Sequence, residues 1–188
     1  DRDGATAAAT GWALGCYRFD RYKTGDKSPV SGIPALVWPV NCDRAAVRRM
    51  TDATALVRDL INIPPEDMGP PELAAAARRL GKAHKARVTV ITGEALLKQN
   101  YPTIHAVGRA AAKAPRLIDL TWGRRDAPKV TLVGKGVCFD TGGLDLKSAS
   151  GMLRMKKDMG GGAHVLGLAH LIMDAKLDVS LRVLVPAV

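Results

Sequence analysis

The 188-residue chain carries 28 Lys and Arg against 18 Asp and Glu, a formal net charge of +10, with 47% hydrophobic and 24% charged residues. Such values fit one globular domain with a sizeable core rather than a disordered chain, and no run of about 18 apolar residues is present to cross a membrane. Cys16, Cys42 and Cys138 are odd in number and form no CxxC pair, which argues against a disulfide framework or zinc knuckle and fits a reducing cytoplasm.

The opening DRDGATAAATGW has no basic region followed by an apolar run, so it does not read as a secretory signal. It lacks an initiator Met, which suggests that residue 1 is not the start of the gene product. Residues 5–19 are small and apolar and suit a helix, followed by a polar turn over 21–29. Residues 35–40 (ALVWPV) predict a short strand that Pro39 confines to an edge or an end. Asn41 and Asp43 are candidate caps for a helix over 44–62, where Val47, Met50, Ala53, Leu56, Leu60 and Ile61 recur at helical spacing. IPPEDMGPP ends it, and Pro71-Glu72 opens a second helix over 71–85.

Strands are predicted at 87–91, 104–108 and 116–122, with a helix over 93–99 between the first two. Residues 129–134 (KVTLVG) make a nearly all-apolar strand expected to be buried on both faces. A helix over about 160–176 and a strand at 180–186 close the chain. Interleaved strands and helices predict an α/β fold, with a mixed, largely parallel sheet flanked by helices in three layers.

The positive charge raises the question of nucleic acid. The cations are scattered, in pairs at Arg48-Arg49, Arg78-Arg79, Arg124-Arg125 and Lys156-Lys157, and aromatics are only 4%. That is too few for a single-strand stacking platform, so the charge reads as a basic solvated surface.

The chemistry concentrates in 130–163, VTLVGKGVCFDTGGLDLKSASGMLRMKKDMGGGA. Lys135 and Asp140 follow a predicted strand, where open α/β sheets place ligands, and Asp158 precedes the terminal helix. Two carboxylates are hard oxygen donors suited to Mg²⁺, Mn²⁺ or Zn²⁺. An amine ligates only in its neutral form, which demands desolvation and nearby cations. Spacing alone leaves a plainer reading open: a glycine-rich surface loop in which Lys135 pairs with Asp140, Lys147 with Asp145 and Lys157 with Asp158. A phosphate loop is disfavoured, because Gly136 rather than Ser or Thr follows Gly134-Lys135.

The stretch resembles the leucyl aminopeptidases, dinuclear metallo-exopeptidases whose first signature runs VGKG-x-x-FD-[ST]-GG, then Lys, then M-x-x-D-M-GG. Val133 to Gly136, Phe139 to Gly143, Lys147 and Met155 to Gly161 match it without a gap. Residues 58–74 and 106–122 resemble family segments upstream. The resemblance implies two divalent ions (Zn²⁺ or Mn²⁺, with Mg²⁺ a further candidate). Lys135 and Asp158 would ligate one ion and Asp140 would bridge both. Lys147 would polarise the scissile carbonyl and stabilise the charge developing on it. Met155 would line the pocket for the substrate's first side chain. Peptide substrates, a hexamer and a cytoplasmic location are implied as well. So is a division into residues 1–30, the end of an amino-terminal domain, and 31–188, the first half of a catalytic domain.

Some positions depart from the family pattern. Ser148 stands where Pro is common, which should loosen the loop after Lys147; Gly162 stands where Ala is usual; Asp145 adds a carboxylate beside the site. The family's second signature, NTDAEGR, which supplies the remaining ligands, is absent. The chain alone is therefore expected to be an incomplete and inactive part of the enzyme. A non-enzymatic, DNA-binding or scaffold member of the same fold is the alternative.

Overall fold

A computed structural model describes residues 1–25, 35–141 and 143–188. Part of the polar turn expected at 21–29, the boundary expected between 30 and 31, and Gly142 of the signature lie outside them.

Helix α1 (Arg2–Gly15) begins earlier than the apolar run suggests, because the Asp1 carboxylate caps it by accepting from Gly4 N at 2.6 Å. It packs on α2 (Arg44–Asn62) through buried Ala9. Asp43 caps α2, accepting from Ala46 N at 2.9 Å, and its carboxylate also holds Arg2 at 2.9 Å. The strand expected at 35–40 is not formed: the segment has no regular structure, and Val37 and Val40 are exposed. Pro39 lacks an N–H, and its carbonyl instead accepts from Cys42 N in a turn.

Helix α3 (Pro70–His84) starts on paired prolines, with Glu72 reaching back to Gly69 N at 3.0 Å. Then come β1 (Arg87–Thr92), the single turn α4 (Ala95–Lys98) and α5 (Pro102–Gly108). Residues 104–108, expected as a strand, are therefore helical. Pro102 is preset for a first helical turn, and β1 pairs directly with β2 (Arg116–Trp122), leaving no place for a strand between them. After β3 (Lys129–Val133) come α6 (Ala149–Met152), a 3-10 turn (Met155–Met159), α7 (Gly160–Asp174) and β4 (Ser180–Ala187).

The four strands form one mixed sheet in the order β1-β2-β4-β3. β1 with β2 and β2 with β4 are antiparallel, and only β3 with β4 is parallel, so the parallel share is smaller than expected. Strand parity sorts the side chains. Val88, Val90, Ile118, Leu120, Leu181, Val183 and Val185 turn to one face, where α2, α3 and α7 bury them with Leu60, Leu73, Leu80 and Leu166. Among the described residues the other face is covered only at one end, where Ile104 and Val107 of α5 approach Val133 and Pro186. β3 is thus not buried on both faces: it is the edge of the sheet among the described strands, and Val133 is 66% exposed. No helix among the described residues is long and apolar enough to cross a membrane.

Candidate metal centre

Beyond Val133 the chain keeps pairing with β4: Gly134 N donates to Leu184 O at 3.0 Å and Gly136 N to Pro186 O at 3.0 Å. Lys135 thus stands at the carboxyl end of a parallel strand, the position at which open α/β sheets bind ligands. The amino terminus of α7 rests on it, with Gly162 N donating to Lys135 O at 2.7 Å. A Cβ on Gly134 would lie 2.4 Å from Gly161 O, and one on Gly161 would lie 2.8 Å from Lys135 N. Glycine on both sides is what lets the two backbones touch.

That contact brings the 3-10 turn, and with it Asp158, over Lys135. Asp158 Oδ2 is 3.3 Å from Lys135 Nζ and 3.7 Å from Lys147 Nζ, while Oδ1 accepts from Lys157 Nζ at 2.9 Å. Lys147 Nζ also lies 3.2 Å from Asp140 Oδ2 and 3.5 Å from Met155 Sδ. Lys135, Asp140, Lys147, Met155 and Asp158 are therefore brought into one cluster. Of the pairings read from sequence, Lys157 with Asp158 forms. Lys135 pairs with Asp158 instead of Asp140, and Lys147 bridges both aspartates rather than turning to Asp145. Asp145 is exposed at φ +43°, a left-handed conformation that Asp tolerates better than most residues.

Three ammonium groups face two carboxylates, leaving one positive charge uncompensated. The hydrogen bond from Lys157, with the Lys135 ammonium beside it, holds the Asp158 carboxyl below the ordinary range against the opposing effect of burial. Among the described residues no group of three or more His, Cys, Asp and Glu could hold a metal ion. The donor set of this chain is a partial one: two carboxylates and an amine that ligates only after losing a proton.

The surroundings fix these groups. Met155 is 3% exposed and forms an apolar floor beneath Lys147. Lys156 donates to Asn62 O at 2.9 Å, tying the turn to the end of α2, a contact with no local signal in the sequence. The hydroxyl of Ser148 accepts from Gly151 N at 3.3 Å and caps the single turn α6. Cys138, between Lys135 and Asp140 in sequence, is 2% exposed, and burial pushes its thiol up to about 12, so it is an inert filler rather than an oxidisable group. None of the four histidines enters the cluster. His84 and His170 instead share a 2.9 Å hydrogen bond between α3 and α7.

Residues 55–188 match the model of the cytosol aminopeptidase family, catalytic domain. A probable cytosol aminopeptidase of Rhodococcus jostii is 38% identical over 193 residues, covering 96% of this chain and 38% of that protein. One of Nitrobacter hamburgensis is 37% identical, with 95% and 37% covered. Among solved structures, the cytosol aminopeptidase of Coxiella burnetii superposes with a TM-score of 0.84 at 47% identity over 96% of this chain and 38% of that one. The bottromycin maturation enzyme BotP in complex with Mn superposes at 0.79 and 34% identity, covering 97% and 39%. The chain spans a little over a third of the length of these relatives. With the match extending over most of its residues, the chain belongs to the cytosol aminopeptidase family, residues 55–188 matching the model of its catalytic domain.

Proposed function

We propose that residues 31–188 are the first half of the catalytic domain of a metal-dependent aminopeptidase that removes amino-terminal residues, leucine-type by preference, from peptides. The observation that supports this best is the convergence of Lys135, Asp140, Lys147, Met155 and Asp158 at the end of β3. Lys135 and Asp158 would hold one divalent ion, with Asp140 shared with a second. Zn²⁺ and Mn²⁺ are the leading candidates and Mg²⁺ a third; the relative in complex with Mn favours manganese among them. When bound, the ions supply Lewis-acid polarisation.

The chain's own groups then have distinct tasks. Lys147, an ammonium held between two carboxylates and 43% exposed, can donate to a carbonyl oxygen as negative charge gathers on it. Lys135 must release a proton to ligate, so metal uptake is coupled to pH. The Met155 thioether offers an adaptable apolar wall to an aliphatic side chain. Lys157 holds one oxygen of Asp158 at 2.9 Å and orients that carboxylate.

The remaining ligands would come from the portion of the protein outside this chain, so the 188 residues alone are inactive. Residues 1–30 would close an amino-terminal domain, and the enzyme would work as a hexamer in the cytoplasm. Calorimetric titration of Mn²⁺ into the chain should give weak binding that Asp140→Ala and Asp158→Ala each abolish. The full-length protein should release p-nitroaniline from leucine p-nitroanilide and lose that activity with Asp140→Ala. Activity surviving Asp140→Ala overturns the ligand assignment. Turnover by the pure 188-residue chain overturns its inactivity.

A further inference from the structure

The sheet face opposite the helical layer is polar at the end away from Lys135. Registered pairing places Arg87, Thr121, Arg182 and Thr131 in one row across β1, β2, β4 and β3. Residues directly opposite one another point to the same face, and the parity that sends Val88, Leu120, Leu181 and Leu132 to the core sends this row outward. Lys85, at the end of α3, Arg125, ahead of β3, and Lys129, its first residue, extend the positive charge around a groove of about 650 Å³. That volume is in the range of small-molecule sites.

Like charges do not gather without cost. Arg182 is neutralised by Asp119 at 2.7 Å, and the neighbouring Asp126 and Asp178 are held by Arg124. Among the described residues, Lys85, Arg87, Arg125 and Lys129 have no carboxylate within 4.0 Å, and no acidic side chain lines the groove. Four exposed, uncompensated cations over a hydroxyl-bearing floor of Thr121, Thr131 and Ser180 form a site complementary to an anion rich in acceptor oxygens. Arg87 and Arg182 flank Thr121 from the strands on either side, about 10 Å apart at the usual strand spacing, a span that a short run of phosphoryl groups can bridge.

We propose that this groove binds a small polyphosphate-bearing molecule. A concave site of this size with one aromatic residue, Trp122, in its lining suits a compact polyanion better than a nucleic-acid strand, which would call for a longer track and stacking rings. The site lies at the opposite end of β3 and β4 from Lys135, so the proposal is independent of the metal assignment.

Inorganic tripolyphosphate, titrated calorimetrically into the 188-residue chain at low salt, tests it. Saturable one-to-one binding is expected, weakened about ten-fold or more by Arg87→Glu with Lys129→Glu. It should be unchanged by Arg48→Glu with Lys98→Glu, which alters the net charge equally at exposed positions elsewhere. If the first pair unfolds the protein, Arg87→Gln alone should still weaken binding several-fold. No saturable binding, or equal loss in both charge-reversed pairs, overturns the proposal. So does tighter binding of duplex DNA that is lost with the Arg87 and Lys129 pair, which would assign the groove to nucleic acid.

Discussion

Replacing Gly134 by alanine tests whether backbone contact between β3 and α7 builds the site. The new Cβ would lie 2.4 Å from Gly161 O, 2.7 Å from Gly161 C and 2.6 Å from Val165 Cγ2. Two of these atoms are backbone, so no rotamer change removes the clash and the start of α7 must move. Overpacking a buried position costs about 1–3 kcal/mol, and a clash against main chain belongs at the upper end. For a chain of this size about 3 kcal/mol corresponds to a fall of roughly 6–12 °C in Tm. Gly161→Ala strikes the same contact from the other side, 2.8 Å from Lys135 N. Once either substitution has parted the two segments the second costs less, so the double variant should be less destabilised than the sum by about 0.5 kcal/mol or more. Thermal and urea unfolding, followed by circular dichroism, measure both quantities. A Gly134→Ala protein within about 0.5 kcal/mol of the parent, or strict additivity in the double variant, would refute the reasoning.

Other expectations follow from single contacts. Asp158 has a folded pKa below its unfolded value, so its contribution is fully present above about pH 4 and is lost as pH falls through the lower folded value. Asp158→Asn should therefore be less stable than the parent near neutrality, with the gap closing in acid; a gap independent of pH in urea titrations argues against the lysine cage. Asp43→Ala removes the α2 cap and should cost about 0.5–2 kcal/mol, while Asp43→Asn, which keeps an acceptor for Ala46 N, should cost less; equal losses would show that the cap does not carry the effect. Iodoacetamide at pH 8, read by mass spectrometry, should modify Cys16 and Cys42 but spare Cys138 in the folded protein. Rapid labelling of Cys138 would mean that the strand end opens.

Much of this molecule is written locally. The helix over 44–62 follows from apolar spacing behind an Asp cap, and β2 was legible as an apolar run ending before Gly123. The candidate site residues could be named because the family resemblance rests on one continuous glycine-rich stretch, whereas spacing alone left a salt-bridged loop equally open. What failed depended on neighbours. ALVWPV has the composition of a strand but no partner to pair with among the described residues, and IHAVG became α5 because β1 and β2 close on each other and Pro102 starts a helical turn. The apolar run of β3 could not say that only one of its faces would be covered.

The sequence by itself determined the helices that carry their own caps, the family, and which residues could do chemistry, since capping and motif spacing act between residues near in the chain. The tertiary structure alone decided which lysine meets which aspartate: whether Lys147 turns to Asp145 or to Asp140 and Asp158 depends on where α7 lands on Gly134. It also decided that cations scattered from Lys85 to Arg182 share one groove, because strand register, set by long-range pairing, brings together residues that no local pattern relates.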